Sequence, residues 1–215
     1  MMKQKQPQWN AAIRHLRRDP AMRKVISRVG PCILTPRRDY FIVLCKSIFN
    51  QQISTKIAAI LFGRFQELFP RGKPTPKAVI EILRHDHHAK QCGLSRQKRS
   101  YLINLATHFH TNQVPTRRIA RMSDEEIIEC LTAVKGIGRW SAEMFLIFVL
   151  NRPDVWPVDD LGLREGVKVA LKLKERPGAK ELREIGERWR PWRSVATWYL
   201  WRNLAALAKE EKSRK

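Results

Sequence analysis

Acidic side chains are scarce in this chain. Its 215 residues carry 20 Asp and Glu against 42 Lys and Arg, a formal net charge of +22. That imbalance favours a polyanionic partner, whether DNA, RNA or an acidic membrane. Long apolar runs are also missing, since none approaches the roughly 20 residues of a membrane span. The opening Met1-Met-Lys-Gln-Lys-Gln-Pro lacks the apolar core of a secretory signal. The expectation is a soluble intracellular protein, in the cytoplasm or nucleoid if the source is bacterial. Cys32, Cys45, Cys92 and Cys130 are widely spaced and form no CxxC. That spacing suits neither a zinc ribbon nor a compact iron–sulfur loop, and idle thiols in a reducing compartment are the better reading. His85-Asp-His-His88 has metal-ligating residue types, but adjacent rather than at helical spacing, so it reads as a solvated helix end.

Alternating strands, internal repeats and low-complexity segments are absent as well, while helical periodicity is everywhere. Asp19-Pro20 reads as an N-cap and first-turn proline opening a helix to about Val29. Further helices are expected over residues 40–50, 54–69, 76–84 and 95–109, with Ser95 as a cap. Ser123 and Glu126 have capping-box spacing. Others should cover 139–150, 161–173, 179–189 and 192–208, before a charged, frayed tail at 209–215. The Pro/Gly clusters between them are too short for flexible linkers. An all-α protein with short connections follows.

Two features carry chemistry. In Leu131-Thr-Ala-Val-Lys-Gly-Ile-Gly-Arg-Trp-Ser-Ala, Gly136 and Gly138 sit between apolar helical runs. Such a turn exposes amides at a helix start and can hold a phosphate without a basic side chain. Lys135 and Arg139 add charge at its mouth. The competing reading is a tight helix–helix turn and nothing more. Asp159 and Asp160, just ahead of a helix, form the second feature. One is expected to cap that helix and the other to stay ionised and stabilise a developing positive charge.

The hairpin resembles the helix-hairpin-helix of the DNA glycosylase superfamily that ends in a catalytic Asp. Within that superfamily the chain is most similar to the 3-methyladenine DNA glycosylase II family. Ile48-Phe-Asn-Gln-Gln-Ile-Ser54, Gly93-Leu-Ser-Arg-Gln-Lys98, Pro157-Val-Asp-Asp-Leu-Gly162 and Trp189-Arg-Pro-Trp-Arg-Ser194 match the family as well. The resemblance spans about residues 10–208, nearly the whole chain.

The resemblance implies a two-lobed all-α glycosylase fold with a central cleft. Residues 37–149 would form one lobe, with the helix-hairpin-helix at 131–148. The N-terminal segment 1–36 would pack with 150–215, which carries the catalytic loop. Asp160 would be the catalytic carboxylate and Asp159 the cap. Trp140, Met144 and Trp201 would line the base pocket. Gln51 and Gln52 would wedge into the gap left by the extruded nucleotide, although they could simply end the helix before them. Ser54, Lys98, Lys135, Gly136, Ile137, Gly138 and Arg139 would complete the DNA contact. Main-chain carbonyls of Thr132, Val134 and Ile137 would face a monovalent cation, Na+ or K+. No other cofactor is implied.

Family members that also cut the strand place a lysine where this chain has Trp140, and tryptophan cannot form a Schiff base. The implied enzyme is therefore monofunctional, a monomer acting on double-stranded DNA with a damaged base. It releases alkylated purines and leaves an abasic site. No C-terminal cysteine quartet for an iron–sulfur cluster is present. Two departures concern substrate range: the chain is too short for the extra N-terminal subdomain of larger bacterial members, and Met144 stands where some members have an aromatic. Two other readings remain open, a non-catalytic helix-hairpin-helix DNA-binding protein and a bifunctional glycosylase/lyase for oxidised bases.

Overall fold

The computed structural model describes residues 9–213; the N-terminal residues 1–8, which include the stretch without a secretory signal, and the last two of the charged tail lie outside them. Twelve α-helices and two short 3-10 turns make up the described residues, with no strand among them. They are α1 (Asn10–Leu16), α2 (Pro20–Val29), α3 (Tyr40–Phe49), α4 (Thr55–Glu67), α5 (Pro76–Leu83) and α6 (Asp86–Gln91). The chain continues with α7 (Arg96–His110), α8 (Asp124–Thr132), α9 (Arg139–Phe148), α10 (Leu161–Leu171), α11 (Ala179–Glu187) and α12 (Arg193–Ser213).

Local chemistry accounts for most of the starts. Asp19 accepts from the Ala21 and Met22 amides ahead of Pro20. Ser54, Thr75 and Ser95 cap α4, α5 and α7 through their hydroxyls, and the Ser123–Glu126 capping box forms in full. Each such cap satisfies an amide that the helix itself leaves without an acceptor.

Three departures from the expected pattern have physical reasons. α1 is a helix of only seven residues that starts without a side-chain cap. Burial of Ala12 and Leu16 holds it rather than local signals. The His85-Asp-His-His88 stretch starts a helix, α6, anchored by the buried Ala89. The expected frayed tail is instead helical to Ser213, because Ala, Lys and Glu are strong helix formers even where no apolar face is left to bury.

Two compact units emerge. The first comprises the described residues up to Pro36 and those from Leu146 on. Its core joins α1 and α2 to α10, α11 and α12 around Trp156, Trp189, Trp198 and Tyr199. Residues 194–200 of α12 are buried on every side, so this helix runs through the middle. Indole and phenol groups pin the chain as they pack. Trp9 donates to the Leu34 carbonyl, Trp156 to Leu182, Trp189 to Asp19, and Tyr199 to Gly30. The second unit is Arg37–Phe145. Here Phe49, Phe62, Phe65 and Phe69 form a chain of rings 4.9–5.4 Å apart in successive contacts. Burial of each such ring contributes about 1.5–3 kcal/mol.

Candidate functional site

In the Arg37–Phe145 unit the hairpin between α8 and α9 turns on one strained position. Gly136 has φ +89°, and a Cβ there would lie 2.3–2.8 Å from the Tyr101 ring. Only glycine fits, for both reasons at once. Gly138 is different, since its φ is ordinary and a Cβ would meet nothing within 4 Å. Its missing side chain keeps the hairpin surface open.

α7 packs beneath and fixes the turn. Asn104 Oδ1 accepts from the Lys135 amide at 2.8 Å, and the Tyr101 hydroxyl accepts from Gln97 at 2.7 Å. Gln51, just past α3, donates from Nε2 to the Gly136 carbonyl at 2.7 Å. Lys98 donates to the Phe49 carbonyl at the end of α3, at 2.8 Å, and burial holds its pKa below the ordinary lysine range.

These residues surround a groove of about 470 Å³. Gln51, Gln52, Lys98, Thr132, Val134 and the run from Lys135 to Gly138 all line it. Sequence segments up to 87 positions apart therefore share one surface. Two assignments need refining. The Gln51 amide is committed to the hairpin, whereas Gln52 is exposed with a left-handed φ of 59°. Arg139 bonds both carboxylate oxygens of Glu125 and lies 3.4 Å from Glu143. Its charge is largely answered within the protein, and hydrogen bonding to Glu125 raises its pKa. Ser54 does not line the groove and caps α4 beside it. Trp140 and Met144 lie one turn apart on α9, with Trp140 49% exposed. Tyr101 and Asn104 have no sequence signal beyond helical spacing, and their part in shaping the hairpin emerges only from packing.

The other unit holds Asp160. The residue is buried, 8% exposed. Oδ1 accepts from the Leu163 amide at 2.5 Å and from Trp201 Nε1 at 2.9 Å. Asp160 is thus the N-cap of α10, and Asp159 is exposed in the turn before it. The expected division, with Asp159 as the cap, is overturned: a cap must directly precede the first helical residue, Leu161, and that position belongs to Asp160. Trp201 is held in turn by stacking on Phe148, centroids 5.5 Å apart and planes at 13°. Gly162 leaves room for this arrangement. A Cβ there would lie 3.0 Å from Trp201 Nε1 and 3.2 Å from Asp160 Oδ1.

The loop leading to Asp160 is clamped by the Trp189-Arg-Pro-Trp-Arg-Ser194 segment. Arg193 bonds both carboxylate oxygens of Asp154 at 2.8 and 2.9 Å, and Arg190 joins at 2.9 Å. Ser194 Oγ accepts from the Val155 amide at 2.9 Å, and the Ser194 amide donates to Pro153. Gly186 lets Trp156 approach, since a Cβ there would meet the indole at 2.5 Å. Two stretches that look independent in sequence are one mechanical assembly.

The four thiols are free. Burial pushes Cys32 and Cys92 up to about 11 and raises Cys45 and Cys130 as well. Among the described residues no group of three or more His, Cys, Asp or Glu side chains could hold a metal ion. No described helix is long and apolar enough to cross a membrane.

Comparison with known proteins agrees with this architecture. DNA-3-methyladenine glycosylase 1 of Schizosaccharomyces pombe is 36% identical over 83% of this chain and 78% of its own length. The solved structure of the S. pombe 3-methyladenine DNA glycosylase in complex with abasic DNA superposes with a TM-score of 0.78 at 34% identity, covering 89% of this chain and 95% of that one. A DNA-3-methyladenine glycosidase from Bacillus halodurans gives a TM-score of 0.77 at 31% identity, covering 90% and 93%. Residues 45–191 match the family described as HhH-GPD superfamily base excision DNA repair protein, and the chain belongs to that family.

Proposed function

We propose that this chain is a monofunctional DNA glycosylase of the 3-methyladenine II type, hydrolysing the glycosidic bond of alkylated purines in double-stranded DNA. The observation that carries this reading is the buried Asp160 carboxylate, aimed by the Trp201 indole and the Leu163 amide. A helix cap alone needs neither the burial nor the second donor from Trp201.

A base inside a duplex is unreachable, so the nucleotide must flip out, at a cost of a few kcal/mol that is least for a damaged base. The hairpin supports a grip on the strand through the amides that open α9, at a helix start that favours anions. Gln52, exposed beside that groove, is the better placed of the two glutamines to fill the vacated stack. Main-chain carbonyls of Thr132, Val134 and Ile137 would hold Na+ or K+, which would supply positive charge at the hairpin. They fit, because Thr132 ends α8, where carbonyls outrun the helical ladder, and the Val134 carbonyl keeps a second lone pair beyond its bond to the Ile137 amide.

Alkylation at a ring nitrogen makes a purine cationic and a good leaving group. The protein then has to stabilise the oxocarbenium-like sugar as the bond opens. Asp160 does so electrostatically and orients the attacking water, while Trp201 and Leu163 keep it from reorienting. Both donors bond Oδ1, so one oxygen caps the helix and fixes the group. An exposed aromatic face such as that of Trp140 suits a cationic base, a contact worth about 0.5–2 kcal/mol, and Met144, one turn along α9, adds polarisable surface.

Trp140 supports base release without strand cleavage, since it offers no amine. Release of free base from methylated DNA by the native chain and not by Asp160→Asn tests the catalytic assignment. Borohydride trapping on abasic DNA tests the second claim, and a covalent adduct would show a lyase.

A further inference from the structure

A second groove, about 390 Å³, runs along α7 beside the hairpin. Arg96, Ser100, Asn104 and Thr107 line it. Their spacing of four, four and three puts them on one helical face, a polar stripe about 16 Å long at 1.5 Å per residue. Lys135 closes the far side and also lines the hairpin groove, so the two surfaces are continuous. Asn104 ties them together through the Lys135 amide.

Some of the arginines are already neutralised within the protein. Arg37, Arg139, Arg176, Arg190 and Arg193 each face a carboxylate. Arg99, at the base of this groove, is also committed, to Asp86 and to the Leu83 and Arg84 carbonyls. Arg96 and the Lys135 ammonium share with most of the basic residues the lack of an ion pair among the described residues, unlike their neighbours Arg99 and Arg139, and no acidic side chain lines the groove. Two unneutralised cations with hydroxyl and amide groups between them form a surface suited to successive phosphates. Such groups read backbone rather than sequence.

We propose that this α7 face is a second backbone-binding track, taking DNA phosphates next to the one gripped by the hairpin. The stripe matches the rise of roughly five base pairs at 3.4 Å each. It would hold the duplex in register while the nucleotide is extruded, sharing the load that one hairpin phosphate cannot carry alone. This inference rests on the reading that the hairpin binds DNA.

The test is a salt titration of binding to a duplex carrying a stable abasic-site analogue. Each lost phosphate contact lowers the log–log slope by about 0.9. Arg96→Ala should reduce the slope by about that amount and weaken binding several-fold at low salt. Arg96→Ala with Lys135→Ala should reduce it by about twice as much, and Ser100→Asp should weaken binding through repulsion without removing a cation. Lys180→Ala, on α11, controls for net charge and should leave the slope close to native. A native slope in Arg96→Ala, or an equal loss in Lys180→Ala, overturns the track. Base release by the unsubstituted chain is measured alongside. Absence of release there sinks the glycosylase reading while leaving the Arg96 result to stand by itself; release with an unaltered Arg96 slope sinks only the track.

Discussion

Six of the seven tryptophans lie in the unit that carries Asp160, and seven of the eight phenylalanines lie in or at the edge of the unit that carries the hairpin, counting by sequence position. The difference is chemical. An indole packs like a large hydrophobe and also offers one N–H. In the first unit Trp9, Trp156 and Trp189 use it to pin the scaffold, and Trp201 uses it to aim a carboxylate. Phenylalanine has no such handle, so the second unit packs its rings for bulk and presents main-chain groups at its hairpin. One unit offers a side chain held by an indole and a helix-start amide. The other offers a turn held by a missing side chain.

That contrast can be broken at specific points. The largest effect is expected from Asp160→Asn. Base release should fall by about 10²–10³-fold, the usual cost of removing a preorganised electrostatic group. Thermal stability should barely move, because asparagine caps a helix as well as aspartate does. Single-turnover release and a thermal melt on one preparation check both halves, and undiminished release would end the catalytic assignment.

The matching probe of the hairpin is a pair of glycines. Gly136→Ala must adopt a left-handed φ and drive its Cβ into Tyr101, so a loss of about 2–4 kcal/mol is expected in denaturant unfolding. Gly138→Ala meets open space and should leave stability within about 1 kcal/mol, since alanine restricts the unfolded chain. It should nevertheless weaken DNA binding, because a methyl group intrudes where a phosphate approaches. If both variants proved equally stable, the account of the turn would be wrong.

A smaller effect is expected from Trp201→Phe. The stack on Phe148 survives while the donor to Asp160 is lost. A hydrogen bond to a charged group contributes about 1.5–3 kcal/mol, so release should slow about 10- to 100-fold, with abasic-DNA affinity little changed. A drop in affinity with an unchanged rate would point to base contact instead of aiming.

Smallest in stability is Gln52→Gly. Relief of the left-handed strain, about 1 kcal/mol, is offset by the flexibility of glycine. The melt should stay near native while excision falls, separating a wedge from a helix terminator.

Legibility in the sequence followed the range of the interaction. Asp19-Pro20, Thr75-Pro76, Ser95 and the Ser123–Glu126 box act within one turn, and the helices they open begin where those residues stand. α1 carries no local signal because its support is burial against other helices. The division of the Asp pair is hidden for a similar reason: either could cap by composition, and a one-residue difference in where α10 starts decides it. Arg139 looked like a free cation because Glu125 lies 14 positions away, beyond helical spacing. The clamp of Asp154 by Arg190 and Arg193 was equally invisible.

The sequence by itself determined an all-helical chain, a strong positive charge, a glycine hairpin, an Asp-Leu-Gly loop and a family likeness. These depend on composition and on contacts a few residues apart. Tertiary structure alone decided which glycine is irreplaceable, which aspartate caps, that Gln51 is spent on the hairpin and that Trp201 aims Asp160. Each of those rests on a contact spanning dozens of residues, or on the exact start of a helix, and neither is written in local spacing.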